Sequence, residues 1–198
     1  MKSALSFFLA IGLVTPGFSQ DTFYKTLADS ALTLTQDRVT YDPSYFSIDY
    51  PNGDVPEGKG VCTDVVIRAY RKLGIDLQKE VHEDMKAHFD LYPKNWGLKN
   101  PDRNIDHRRV PNLMTFFERY GTVKPITQNP SDYHPGDIVC WNLGGGITHI
   151  GIVVNRKSPG GRYKIVHNIG AGQVTEDVLF DSKIIGHYRY GPERSDRF

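Results

Sequence analysis

Two cysteines in 198 residues are too few for a disulfide-dense scaffold or a four-thiolate zinc site. Charge of one sign is also missing: 24 Lys plus Arg stand against 23 Asp plus Glu, a formal net charge of +1. That balance, without a basic block, excludes generic binding along phosphate backbones and predicts no nucleic-acid partner. No apolar run approaches the ~20 residues that a membrane-spanning helix needs, so no stable membrane insertion is predicted. Internal repeats and low-complexity stretches are absent, which excludes a solenoid. What is present is a 39% hydrophobic chain with 11 Tyr and 10 Phe, enough for a packed core and too much for a disordered segment. The length fits one domain, an enzyme or a ligand binder.

The longest apolar stretch, Ala4–Val14, follows Lys2 at the extreme N-terminus and precedes Gly17-Phe18-Ser19. A positive residue, a short apolar core and small residues at the −3 and −1 positions read as a signal peptide over 1–19, leaving one domain over 20–198. No cysteine stands at the cleavage point to take a lipid anchor. The predicted compartment is therefore periplasmic or extracellular, and oxidising.

Helical spacing predicts helices over 21–38, 61–73, 81–89 and 111–120, the second closed by Gly74 and the fourth by Gly121. The proline- and glycine-rich stretch 41–60 reads as loop with a short strand at 45–50, and 92–109 as a polar loop. After Pro135-Gly136 the period changes: 137–143, 149–155, 163–168, 174–179 and 185–190 read as strands of an antiparallel meander. Helices first and strands last predict an α+β fold, with N-terminal helices on an antiparallel sheet of about five strands.

The chemistry centres on Cys62, which follows Gly58-Lys59-Gly60 at the first turn of a helix. Free N–H groups and the helix dipole there favour a thiolate, predicting a pKa lowered toward neutrality, and those N–H groups suit an oxyanion. A thiolate nucleophile needs a base, and the base needs orienting. The turn Ser158-Pro159-Gly160-Gly161 lies midway between His149 and His167, so a hairpin brings the two imidazoles across from one another within a residue or two. Their even separation of 18 residues allows one face for both. Cys140 reads as core packing among Ile138, Val139 and Trp141, although a Cys62–Cys140 disulfide stays open at this level. A zinc site on Cys62, His149 and His167 lacks any ligand-spacing motif, so no metal and no cofactor are predicted.

The order of Cys at a helix start, then P-G-D-I-V-x-W, T-H-I-G-I-V-V and I-V-H-N resembles the NlpC-like branch of the papain-like cysteine peptidases, enzymes that trim bacterial cell-wall peptides. More closely, G-V-C-T-D-V-V-I-R-A-Y-R at 60–71 and N-I-D-H-R-R-V-P-N-L at 104–113 resemble the domain-of-unknown-function family numbered 1287, an exported bacterial group of that fold class. The resemblance covers about residues 40–190. It implies a papain-like (NlpC-like) fold, with Cys62 as nucleophile, His149 as base and His167 as orienting residue. Peptidases of this kind read Asp-Cys-Ser-Gly at the nucleophile, whereas this chain reads Val61-Cys62-Thr63-Asp64. The shifted carboxylate makes Asp64 a candidate to hold a free amine of a stem peptide. An upstream tyrosine lines the site in the superfamily, for which Tyr50 and then Tyr45 are the candidates.

His107, Arg108 and Arg109 form a cluster that could grip carboxylates of an acidic peptide; the competing reading is a solvated helix flank. His82, His88 and His134 read as surface residues and His187 as structural. The function this predicts is a secreted cysteine amidase acting on peptidoglycan stem peptides. Two alternatives remain: a non-catalytic binding module for wall fragments, and an acyltransferase or thioesterase using the same triad. An inhibitor or immunity partner is not legible in the sequence.

Overall fold

The computed structural model describes residues 20–191; the predicted signal peptide lies outside them. Four helices, α1 (Gln20–Leu34), α2 (Cys62–Arg71), α3 (Leu77–Ala87) and α4 (Val110–Tyr120), precede most of the sheet. α3 starts four residues earlier than its apolar spacing predicts, because Asp76 caps it by accepting the Gln78 N–H at 3.1 Å. α4 carries proline in its first turn and ends at Gly121. The predicted strand at 45–50 does not form; instead β1 (Thr40–Tyr41) runs parallel to β2 (Lys59–Gly60), directly before Cys62.

The main sheet has six strands: β3 (Thr122–Val123), β4 (Ile138–Asn142), β5 (Thr148–Lys157), β6 (Tyr163–His167), β7 (Val174–Glu176) and β8 (Lys183–Arg189). All pairings are antiparallel, in the order β3-β8-β4-β5-β6-β7. The α+β class and the helices-then-sheet order stand. The simple meander does not, since β8 leaves β7, returns to the far side of β4 and there collects the two-residue β3. Strand periodicity specifies faces rather than neighbours, so this crossing has no local signature.

Alternation along β4 and β5 divides the core in two. Cys140, Ile150, Ile152 and Val154 pack under the helices with Leu27, Val65, Val66 and Phe117. Val139, Trp141, Val153 and Ile165 pack on the opposite face with Tyr133 and Leu179. On that second face the buried His187 is hydrogen-bonded to Asp137 at 2.7 Å and stacked on Tyr133, in keeping with a structural role.

A candidate cysteine–histidine active site

Cys62 is the first residue of α2, where no preceding turn satisfies the helix N–H groups. The N–H groups of Ile150, Thr63 and Cys62 stand close enough to its sulfur to favour the thiolate. Ile150 contributes because β6 pairs with β5 only from Ile152 onward, leaving the β5 edge beside His149 open to the start of α2. Asn168, just past β6, donates its side-chain N–H to the Gly60 carbonyl at 3.1 Å and holds the two segments together.

The two imidazoles meet as the hairpin geometry predicts. His149 Nε2 lies 2.8 Å from His167 Nδ1, with ring centroids 5.0 Å apart. The register places Gly151, not His149, opposite His167, so the rings meet on a diagonal. Gly151 makes room for this: a Cβ there would lie 2.5 Å from Ile165 Cγ2 and 3.2 Å from His167 Cβ. His167 Nε2 in turn meets Glu176 Oε2 at 3.0 Å. Trp141, the cross-strand partner of His149, covers its ring at 5.8 Å.

The electrostatics differ from the sequence expectation. Burial pushes the Cys62 thiol up to about 12, outweighing the N–H groups close to it. Burial and the neighbouring His167 bring His149 down to about 4. The resting pair is therefore a neutral thiol and a neutral imidazole, with no hydrogen bond between Cys62 and His149 among the described residues. Helix position alone predicts a lowered thiol pKa, but desolvation of the sulfur, in a residue only 7% exposed, is the larger effect. Both cysteines are free and buried, so the open disulfide alternative is closed. Among the described residues no group of His, Cys, Asp and Glu is arranged to hold a metal ion.

The remaining candidates disperse. Asp64 spends both carboxylate oxygens inside the protein: Oδ1 accepts from Arg108 Nε at 2.9 Å, and Oδ2 accepts from Arg108 at 3.1 Å and from the Val61 N–H at 2.7 Å. The third guanidinium nitrogen of Arg108 donates to the Ser44 carbonyl. His107 is turned inward, 2% exposed, and burial with the nearby Arg108 and Arg71 charges lowers its pKa to about 3. Arg109 lies 3.7 Å from Asp106 and 4.2 Å from the centre of the Trp96 ring. The three residues thus form neither one carboxylate grip nor a solvated flank.

Tyr50 packs against His82 and Arg103, and Tyr45 donates to Asp102. Tyr41 is instead the tyrosine placed near this segment, paired with Gly60 two residues before Cys62, and its phenol pKa is raised, first by desolvation. Sequence reasoning passed over Tyr41 because nothing local shows that β1 pairs with the strand leading into Cys62. Ile147 and Ile169, two residues along the chain from His149 and His167, are both exposed.

A family model for a domain of unknown function, DUF1287, matches residues 28–190. The chain belongs to that family. A curated relative, the uncharacterized protein YijF of Escherichia coli (strain K12), is 53% identical over 164 residues, 83% of this chain and 80% of YijF. Two solved structures align over most of this chain. NlpC1 of Trichomonas vaginalis aligns with TM-score 0.47 and 13% identity over 85% of this chain and 44% of its own. An N-acetylmuramoyl-L-alanine amidase from Bacteroides uniformis aligns with TM-score 0.47 and 14% identity over 85% of this chain and 99% of its own. Among the described residues of this DUF1287 chain, no helix is long and apolar enough to cross a membrane.

Proposed function

We propose that this DUF1287 protein is an exported cysteine hydrolase that cleaves amide bonds in peptidoglycan stem peptides. The observation that carries the reading is the 2.8 Å contact between His149 and His167, next in the chain to Ile150, whose N–H acts on the sulfur of the helix-start Cys62. Substrate binding brings a carbonyl to the sulfur, and the thiol proton passes to His149 as the C–S bond forms. The helix-start N–H groups receive the negative charge of the tetrahedral oxygen. His149 then gives its proton to the leaving amine. Water, deprotonated by the same ring, releases the acyl group and restores the thiol. The cell-wall substrate class is supported by the motif order that resembles NlpC-like enzymes.

Cys62→Ala is expected to abolish release of peptide fragments from purified murein, read by mass spectrometry. Undiminished release by this variant would overturn the reading. The burial of a neutral thiol favours one competing reading, a binding module for wall fragments without turnover. Iodoacetamide separates the two: a nucleophile with a base reacts faster than the fully buried Cys140, and equal slow labelling of both favours the binder.

A further inference from the structure

Beyond the three residues of that reading, a carboxylate ends the row. His149 on β5, His167 on β6 and Glu176 on β7 lie on one face of the sheet, each a diagonal step from the last. Gly151 faces His167 where His149 would in a direct pair, and Ile165 rather than His167 is the register partner of Glu176. The links are Nε2 to Nδ1 at 2.8 Å and Nε2 to Oε2 at 3.0 Å. The histidines are buried, whereas the Glu176 side chain is 47% exposed.

We propose that Glu176 is a positioning residue that fixes the proton order along this row, so that His149 presents a bare Nδ1. An ionised carboxylate only accepts hydrogen bonds, so His167 must place its proton on Nε2. A neutral imidazole carries a single ring proton, so His167 Nδ1 is then a lone pair. The 2.8 Å contact therefore requires His149 to donate from Nε2, and its Nδ1 is left without a proton. Among the described residues the hydrogen bond of the His149 ring is made at Nε2, and none is made at Nδ1. Reversing any link reverses them all and puts a proton where a base needs a lone pair. Burial supports the neutral state this order needs, since both rings are held below the ordinary imidazole range. Among the described residues Glu176 makes no hydrogen bond to the thiol, and in this proposal it acts through His167.

The inference rests on the proposed role of His149, but its test does not depend on the natural substrate. Nitrogen-15 spectra of the histidine rings near pH 7 are expected to show both His149 and His167 protonated on Nε2. Glu176→Leu should bring a second tautomer into view at His149. It should also slow iodoacetamide alkylation of Cys62 about tenfold, below the full 10²–10⁴ of a general base because the carboxylate is half in water. Glu176→Gln, whose amide oxygen still accepts from Nε2–H, should restore most of both. Nδ1-protonated His149 in the unaltered protein would overturn the proposal without recourse to any variant. So would a Glu176→Leu protein with unchanged ring signals and alkylation rate. Failure of Cys62→Ala to stop murein cleavage would instead overturn the proposed function and leave the proton order standing.

Discussion

The Asp64–Arg108 pair offers a direct test of what the shifted carboxylate does. The side chains are 4% and 2% exposed and joined through two hydrogen bonds, so removing the guanidinium strands a buried charge. Arg108→Met keeps much of the volume and leaves Asp64 only the Val61 N–H. Breaking a buried pair from one side costs about 3–5 kcal/mol. At roughly 2–4 °C per kcal/mol for a domain of this length, the Tm should fall by about 6–20 °C. Asp64→Asn combined with Arg108→Met removes both charges and keeps an acceptor for Val61. It should recover stability to within about 1–2 kcal/mol of the original. Urea or thermal melts read these values, and murein cleavage by the same proteins reads the site. A loss under about 1 kcal/mol in Arg108→Met would refute the structural assignment. A double variant with restored stability and a sharply raised KM would assign Asp64 to substrate after all.

Two further outcomes follow from the same geometry. Gly151→Ala drives a Cβ to within 2.5 Å of Ile165 Cγ2 and 3.2 Å of His167 Cβ. It should cost about 1–3 kcal/mol in melts and disturb the imidazole contact, lowering murein cleavage; unchanged stability and rate would refute the crowding argument. Stability should also fall as pH drops from about 6.5 toward 4. His149 and His107, lowered by burial to about 4 and 3, stay neutral where an unfolded histidine takes a proton, and His167 and His82 shift the same way. The raised Asp106, near 6, and Glu80 oppose this, since each holds a proton in the fold that the unfolded chain releases. The net of one or two protons gives about 1–3 kcal/mol per pH unit. Urea melts at pH 7, 5.5 and 4.5 check it, and a flat profile would contradict the burial assigned to these rings.

What the sequence determined by itself was local. Apolar spacing with Gly74 and Gly121 located α2 and α4, a glycine-preceded cysteine marked a helix start, and even spacing about a Pro-Gly turn put two histidines on one sheet face. Each depends on neighbours within one helix or one hairpin, where backbone geometry dictates the answer. The tertiary structure decided everything that required distant segments to meet. It paired Asp64 with a guanidinium 44 residues away, which took from the carboxylate its predicted freedom to bind an amine. It paired Tyr41, rather than Tyr50, with Gly60 just before the thiol and brought Glu176 back along β7 to His167. It also raised the Cys62 pKa that helix position alone would lower, because burial depends on what the whole chain packs against a group. Desolvation and long-range pairing leave no periodic trace in a sequence.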